Sequence, residues 1–219
     1  MHTESQLCYL DLAAFNAPHN VLKEILTSTN SLQKLCVIPC DAFTTNINNL
    51  SFDLWVQNGK TIQVLDLAAQ WLEDDTVKQI IDYCPNLLEV NFGLTLLSDN
   101  SINYIINNIT PGILKLGLYR NKVTDEHIET LVTRCKNLTS LDLRECDITD
   151  KSLNSLIQHI KLEELNVCDC SISFTKILEL KSMPRLKTLV YLVTGNSMAG
   201  LRYSCPKIIA SKVSFVCKI

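Results

Sequence analysis

Glycine, proline and net charge are all scarce in this chain of 219 residues, which has 6 Gly, 6 Pro and a formal net charge of −3. The small charge argues against a nucleic-acid binder that relies on a basic face, and no glycine-rich phosphate loop is present. No apolar run reaches the roughly 18 residues of a membrane-spanning helix. The first residues, Met1–Gln6, lack the basic and apolar regions of a secretory signal. We therefore expect a cytoplasmic and/or nuclear protein.

Cysteine, in contrast, is abundant, with 10 residues. In a secreted chain this even number would predict disulfides, but without a visible signal we expect reduced thiols, because the cytosol keeps thiols reduced. Cys168-Asp169-Cys170, and Cys36 with Cys40, raise the alternative of a metal or redox site. Zinc needs four convergent ligands at characteristic spacing, and the four histidines are scattered. We therefore expect no metal, no cofactor and no catalytic residue.

One pattern recurs along the whole chain. Residues 138–150 read L-x-x-L-x-L-x-x-C-x-I-T-D, and a helical stripe of Leu153, Leu156, Ile157 and Ile160 follows. The intervals between copies run from 22 residues (Leu186 to Ile208) to 30 residues (Leu32 to Ile62), and leucine-rich repeats have periods of about 20–29 residues. The strand motif starts at Leu7, Leu32, Ile62, Leu87, Ile113, Leu138, Leu162 and Leu186, with a degenerate ninth copy at Ile208.

These repeats predict an α/β fold: a right-handed leucine-rich-repeat solenoid, or horseshoe, with a parallel concave sheet and convex helices. Residues 1–219 are expected to form a single domain of about eight repeats plus a terminal strand. The fourth and sixth positions of each repeat should point inward, because side chains alternate along a strand. The ninth position, for example Cys146, should bond neighbouring backbone groups. Ser or Thr before Asp predicts helix N-caps at Ser98, Thr124 and Thr149.

The second and seventh repeats depart from the regular pattern, and the chain also has two tryptophans whose location can be predicted. The 30-residue interval predicts a longer helix through Phe43, Ile47, Leu50 and Leu54, ending near Trp55 with Gly59 as its stop. The seventh repeat has a weak helical stripe, which predicts a short or 3₁₀-like helix. We expect Trp55 and Trp71 to pack on the convex side or at the strand edge rather than to bind a ligand.

The residues expected on the concave side form a candidate protein-binding site. Neighbouring strands lie about 4.8 Å apart, so Tyr119 should be beside Arg144, and Arg120 beside Glu145. Tyrosine and arginine often dominate interfaces, and this fold usually binds through its concave sheet. The alternatives are an ordinary solvated surface with weak ion pairs and a phosphate-reading patch of Lys115, Arg120 and Arg144. The candidate residues are Tyr119, Arg120 and Arg144 at the centre, Lys115 and Asp142 at the rim, and Asn91 and Asp66 on preceding strands.

The repeat pattern, with a cysteine that ends the helix at Cys84, Cys135 and Cys205, resembles the cysteine-containing leucine-rich repeats. That subfamily is typical of F-box proteins and of the antagonist-of-mitotic-exit family. From about Thr130 onward the resemblance is narrower. Residues 131–143, 178–189 and 205–208 look like the later repeats of S-phase kinase-associated F-box proteins.

This resemblance implies a non-catalytic substrate receptor of an SCF-type, cullin-based ubiquitin ligase, acting in ubiquitin-dependent protein degradation. In that family an F-box binds a small adaptor, and the repeats hold the protein substrate. Nothing before Leu7 can form the terminal cap that a solenoid needs, so we expect the chain to be part of a longer protein. No F-box precedes Leu7 either, so we expect adaptor and cullin binding only if an F-box exists upstream. The alternative is a free-standing leucine-rich-repeat interaction protein without a ligase role. Neither nucleic acid nor membrane is expected as a partner.

Overall fold

The computed structural model describes residues 7–13, 19–39, 47–49, 52–159, 161–191 and 214–215. Two compact units make up the chain: an N-terminal unit, Met1–Ile113, and a C-terminal unit, Leu114–Ile219. Within the described ranges, no helix is both long and apolar enough to cross a lipid bilayer.

The N-terminal unit alternates short parallel strands with helices. Its four strands pair in chain order, and each successive pair keeps its register over three residues. A 3₁₀ helix, Ile47–Asn49, precedes the second α-helix. The elements are β1 (Tyr9–Asp11), α1 (His19–Ser28), β2 (Lys34–Cys36), α2 (Phe52–Asn58), β3 (Val64–Asp66), α3 (Asp74–Tyr83), β4 (Glu89–Asn91) and α4 (Asp99–Asn108).

The C-terminal unit repeats the same step, and its strands are again parallel and paired in chain order. Its last α-helix continues into a 3₁₀ helix, Leu180–Ser182, which confirms the short helix expected in the seventh repeat. The elements are β5 (Lys115–Gly117), α5 (Asp125–Arg134), β6 (Ser140–Asp142), α6 (Asp150–Ile157), β7 (Glu164–Asn166), α7 (Phe174–Glu179), β8 (Thr188–Val190) and β9 (Ser214–Phe215).

The eight predicted strands are confirmed, because each begins two residues after its predicted repeat start. The ninth differs: Ile208 lies outside the described residues, and the described β9 begins only at Ser214. Part of the long helix predicted for the second repeat, including Phe43 and Leu50, lies outside the described residues. In the described part, Ile47–Asn49 is a 3₁₀ helix rather than α-helix, and the seven-residue α2 ends at Asn58, directly before the predicted stop at Gly59.

The core consists of the inward positions of the repeats. The fourth-position residues Leu65, Leu116 and Leu141 are at most 2% exposed, and the helices bury the predicted stripes, such as Ile102, Ile105 and Ile106. Burying a leucine side chain contributes about 1.5–3 kcal/mol. Stacked repeats are therefore stabilised chiefly by this stripe of apolar contacts.

The ninth position has the predicted role of satisfying backbone carbonyls. Gln70 donates from Nε2 to the carbonyl of Val37 at 2.9 Å. In the C-terminal unit, the Sγ of Cys146 donates to the carbonyl of Leu118 at 3.4 Å. Burial raises the pKa of the Cys146 thiol to about 12, so this side chain acts as a neutral donor.

The predicted N-caps are present, and they also connect one repeat to the next. Ser98 accepts from the backbone N–H of Ser101 at 3.1 Å, and Thr149 accepts from that of Lys151 at 3.2 Å. The aspartate after the cap of one helix receives hydrogen bonds from the cap of the following helix. Asp125 accepts from the backbone N–H and the hydroxyl of Thr149, at 2.9 and 2.7 Å. These aspartates therefore hold neighbouring helix ends together.

Candidate functional site

Tyr119 and Arg144 form the centre of the candidate surface, as the strand register predicts. The guanidinium carbon of Arg144 lies 4.4 Å from the centroid of the Tyr119 ring, which is a cation–π contact. The Nε of Arg144 donates to both carboxylate oxygens of Asp142 at 3.1 Å, and its Nη2 lies 3.0 Å from Oδ2. Arg144 is thus held between a ring and a carboxylate while 41% of its side chain stays exposed.

Arg120 and Glu145 form a second pair beside the first. The Nε of Arg120 donates to Oε1 of Glu145 at 2.7 Å. This hydrogen bond, with the charge of Glu145, raises the pKa of Arg120. Both residues occupy the eighth repeat position with left-handed φ values of 57° and 54°. Non-glycine residues adopt this conformation infrequently, and here it turns both side chains out of the strand line.

The fifth-position residues have a local structural role that the spacing alone did not reveal. The Oδ1 atom of Asp142 accepts from the backbone N–H of Arg144 at 3.2 Å. In the N-terminal unit, Asp66 and Asn91 accept in the same way from Ala68 and Gly93, at 3.1 and 3.0 Å. Each such Asx turn bends the chain off its strand. Asp142 therefore both shapes the turn and holds the Arg144 side chain.

Lys115 and the neighbouring strand residues complete the exposed face of the sheet in the C-terminal unit. Lys115 is exposed, and Gly117, which pairs with Asp142 in the register, has no side chain beyond its backbone. Further along, the hydroxyl of Ser140 donates to Oε2 of Glu164 at 2.9 Å. We call this the Tyr119–Arg144 surface; it consists of Lys115, Tyr119, Arg120, Asp142, Arg144 and Glu145.

The Tyr119–Arg144 surface offers a rigid aromatic ring, fixed guanidinium groups and carboxylates to a partner. Asp142 and Glu145 already engage both arginines, so a phosphate would have to compete with two carboxylates. This geometry disfavours the phosphate-reading hypothesis. Exposed ion pairs contribute little to stability by themselves, whereas pre-positioned Tyr and Arg side chains suit recognition of a protein surface.

Two further observations concern other ligands: one is a groove in the C-terminal unit, and the other is the test for a metal site. A groove of about 460 Å³ on the helical side is lined by residues that include Lys136, Ser155 and His159. The Nε2 of His159 bonds the carbonyl of Cys135 at 2.9 Å, while its Nδ1 is inaccessible to solvent, so a ligand in this groove could not reach it without moving the histidine. Among the described residues, no group of three or more His, Cys, Asp or Glu side chains could hold a metal.

The predicted places of the two tryptophans are only half correct. Trp55 is 2% exposed, as expected for a packed side chain, but Trp71 is 72% exposed. The packing predicted for Trp71 was therefore wrong. Its place at the tenth position of its repeat, just beyond the turn, puts it where other repeats have Lys122, Asp147 and Ser171.

Comparison with known proteins gives curated relatives and structural neighbours. The antagonist of mitotic exit network protein 1 of Candida albicans is 25% identical over an alignment 154 positions long, which covers 62% of this chain and 23% of that protein. No protein-family model matches the chain. The chain thus spans about a quarter of the length of this curated relative.

The solved structures show the fold. The Rad7 and Elc1 complex of yeast superimposes with a TM-score of 0.58 at 14% identity, covering 84% of this chain and 48% of that chain. The TLR13–ssRNA13 complex has a TM-score of 0.52 at 18% identity and covers 85% of this chain and 28% of that chain. Together with the parallel strands and alternating helices, these likenesses show an α/β leucine-rich-repeat solenoid.

Proposed function

We propose that this chain is the substrate-binding part of a cullin-type ubiquitin ligase receptor and that it holds its protein partner on the Tyr119–Arg144 surface. The observation that carries the binding site is the stack of Arg144 on Tyr119, which is fixed by Asp142 and still exposed. The leucine-rich-repeat fold supports a non-catalytic protein-binding module. The ligase role is supported by the resemblance of residues 131–143 and 178–189 to F-box proteins with such repeats.

A tagged copy of the complete endogenous protein, purified from cells, tests both parts of the proposal. We expect the adaptor, a cullin and a protein partner to co-purify. The double change Tyr119→Ala with Arg144→Ala should release the partner and leave the adaptor bound, because only the repeat surface is altered. The expected loss is at least tenfold in partner affinity, since interface Tyr and Arg residues often contribute about 2 kcal/mol or more.

Two control variants separate the surface from the fold. Tyr119→Phe keeps the ring beneath Arg144, and Glu126→Ala changes an exposed residue of α5; both should retain the partner. A complex without adaptor and cullin would contradict the ligase role and favour a free-standing interaction protein. Unchanged partner binding by the double variant would contradict the proposed surface.

A further inference from the structure

Trp71 and Leu96 form an exposed apolar patch in the N-terminal unit. Each is 72% exposed, and both occupy the tenth position of adjacent repeats. The parallel register of β3 and β4 continues into the turn, where the Ala69 N–H donates to the Gly93 carbonyl at 2.9 Å. We call these two side chains the Trp71–Leu96 patch.

The segments that present the patch are fixed to each other. Asp74 follows Trp71 by three residues and accepts from the hydroxyls of Ser98 and Ser101 at 2.5 and 2.6 Å. These hydroxyl donors lower the pKa of Asp74, so the connection stays ionised near neutral pH. Asn48 holds the other side of the patch, donating to the Trp71 carbonyl and accepting from the Glu73 N–H at 2.8 and 2.9 Å.

The residues on either side of each of these two side chains are buried. Trp71 stands between Gln70 and Leu72, each 3% exposed, and Leu96 stands between the buried Thr95 and Leu97. Leu96 also has a left-handed φ of 53°, a rare conformation for a bulky residue. Such conformations persist where the surrounding structure imposes them, and they cluster at binding sites. The backbone that carries the patch is therefore held in place, and both side chains are exposed to solvent.

The rim of the patch is acidic. Glu73, Asp75 and Asp99 are exposed and follow the two apolar side chains at the starts of α3 and α4. Lys78 of α3 also lies near this rim, with its Nζ 3.9 Å from Oδ1 of Asp75, whose side chain is 88% exposed. An exposed tryptophan also attracts cations over its ring. The charge around the patch thus complements a basic partner.

We propose that the Trp71–Leu96 patch docks a protein segment that combines apolar side chains with Lys or Arg. The apolar side chains of this segment cover Trp71 and Leu96, and its cations face Glu73, Asp75 and Asp99. Tryptophan is among the residues that most often dominate interfaces, and polar groups lie at the rim of the patch. The inference concerns a second surface and does not rest on the role of the Tyr119–Arg144 surface.

Selection from a phage-displayed library of random short peptides tests the proposal with the full chain. The library is first incubated with the double variant Trp71→Ser/Leu96→Ser, and the phage that bind this variant are removed. Serine is chosen because another repeat has it at this position, as Ser171. The remaining phage are then selected on the wild type. We expect the recovered peptides to contain Lys or Arg next to apolar residues and to lose affinity as salt is raised.

Affinities of a recovered peptide give the decisive comparison. Trp71→Ser should weaken binding by about 30-fold, and Glu73→Gln with Asp99→Asn should weaken it less and reduce its salt dependence. Val56→Ser, which changes an apolar α2 residue that is 41% exposed, is the matched control and should stay within about twofold, as a near-neutral position does.

Several results would overturn the proposal. These are a lack of peptides specific to the wild type, recovery of acidic or uncharged peptides, and equal affinity for Trp71→Ser. Acrylamide quenching of the free wild-type chain provides a measurement without a variant. Trp71 should be quenched readily because it is exposed; protection would show that a second copy or another part of the chain already covers the patch.

Discussion

Replacing Asp125 by alanine should destabilise the C-terminal unit through its bonds to the next repeat. Asp125 accepts from the backbone N–H of Ser152 at 3.1 Å and from its hydroxyl, in addition to its two bonds from Thr149. Ser152 is only 1% exposed, so water cannot replace the lost acceptor. A buried donor without a partner costs about 1–3 kcal/mol. We expect Asp125→Ala to lower the free energy of unfolding by about 2–3 kcal/mol.

The next repeat offers a matched control for this prediction. Asp150 has the same position in its repeat and accepts from the backbone N–H and hydroxyl of Ser173 at 2.7 and 2.6 Å. Ser173 is exposed, so water can take over both bonds. Asp150→Ala should therefore cost less than about 1 kcal/mol. Equal losses for the two variants would refute the argument that burial of the donor decides the cost.

Urea unfolding followed by far-ultraviolet circular dichroism is the suitable assay, because both tryptophans, Trp55 and Trp71, lie in the N-terminal unit. Hydrogen exchange of α6 peptides then locates the change. Burial raises the pKa of Asp125, but the hydrogen bonds from Ser152 and Thr149 outweigh it and lower the pKa overall.

This lowered pKa fixes the sign of the pH dependence. A carboxyl whose folded pKa is depressed contributes stability above its unfolded pKa of about 3.9 and loses it as the pH falls through the folded pKa. The difference between wild type and Asp125→Ala should be full near neutral pH and shrink in acid. A difference that persists unchanged in acid would contradict the assigned role of the ionised carboxylate.

Three further predictions follow from particular packing environments. Gly59→Ala should cost about 1–3 kcal/mol of unfolding free energy by urea titration, because a Cβ there would lie 2.2 Å from the Tyr83 carbonyl oxygen; an unchanged midpoint would contradict this packing. Leu141→Ala, at a side chain 1% exposed, should cost about 2–5 kcal/mol in the same titration. Iodoacetamide should label the exposed Cys8 in the native protein but not Cys84, whose pKa burial raises to about 12; peptide mass spectrometry would reveal early labelling of Cys84 as a contradiction.

Much of the repeat layout could be predicted from the sequence because the residues that specify each strand and helix lie close together in the chain. The alternation of apolar positions placed eight strands correctly, and the cap residues before Asp99 and Asp150 marked helix starts. The neighbourhood of Tyr119 and Arg144 also followed from the strand register alone. These features depend on periods of a few residues, which the sequence displays directly.

The irregular features could not be predicted in this way. In the second repeat, apolar spacing suggested one long α-helix, whereas Ile47–Asn49 is a 3₁₀ helix. Trp71 was expected to pack, because large aromatic side chains usually do. Its exposure agrees instead with its tenth repeat position, where other repeats have the exposed polar residues Lys122, Asp147 and Ser171.

The sequence by itself determined the repeat period, the inward-facing residues and the order of strands and helices, because each is set by local spacing and side-chain alternation. Only the tertiary structure decided the partners of the polar groups. In the structure, Asp125 bonds Thr149 of the following repeat, and Asp142 bonds both the backbone N–H and the side chain of Arg144. The physical reason is that a contact such as the one from Asp125 to Thr149 joins residues about one repeat apart. Such a contact forms only after the repeats have stacked.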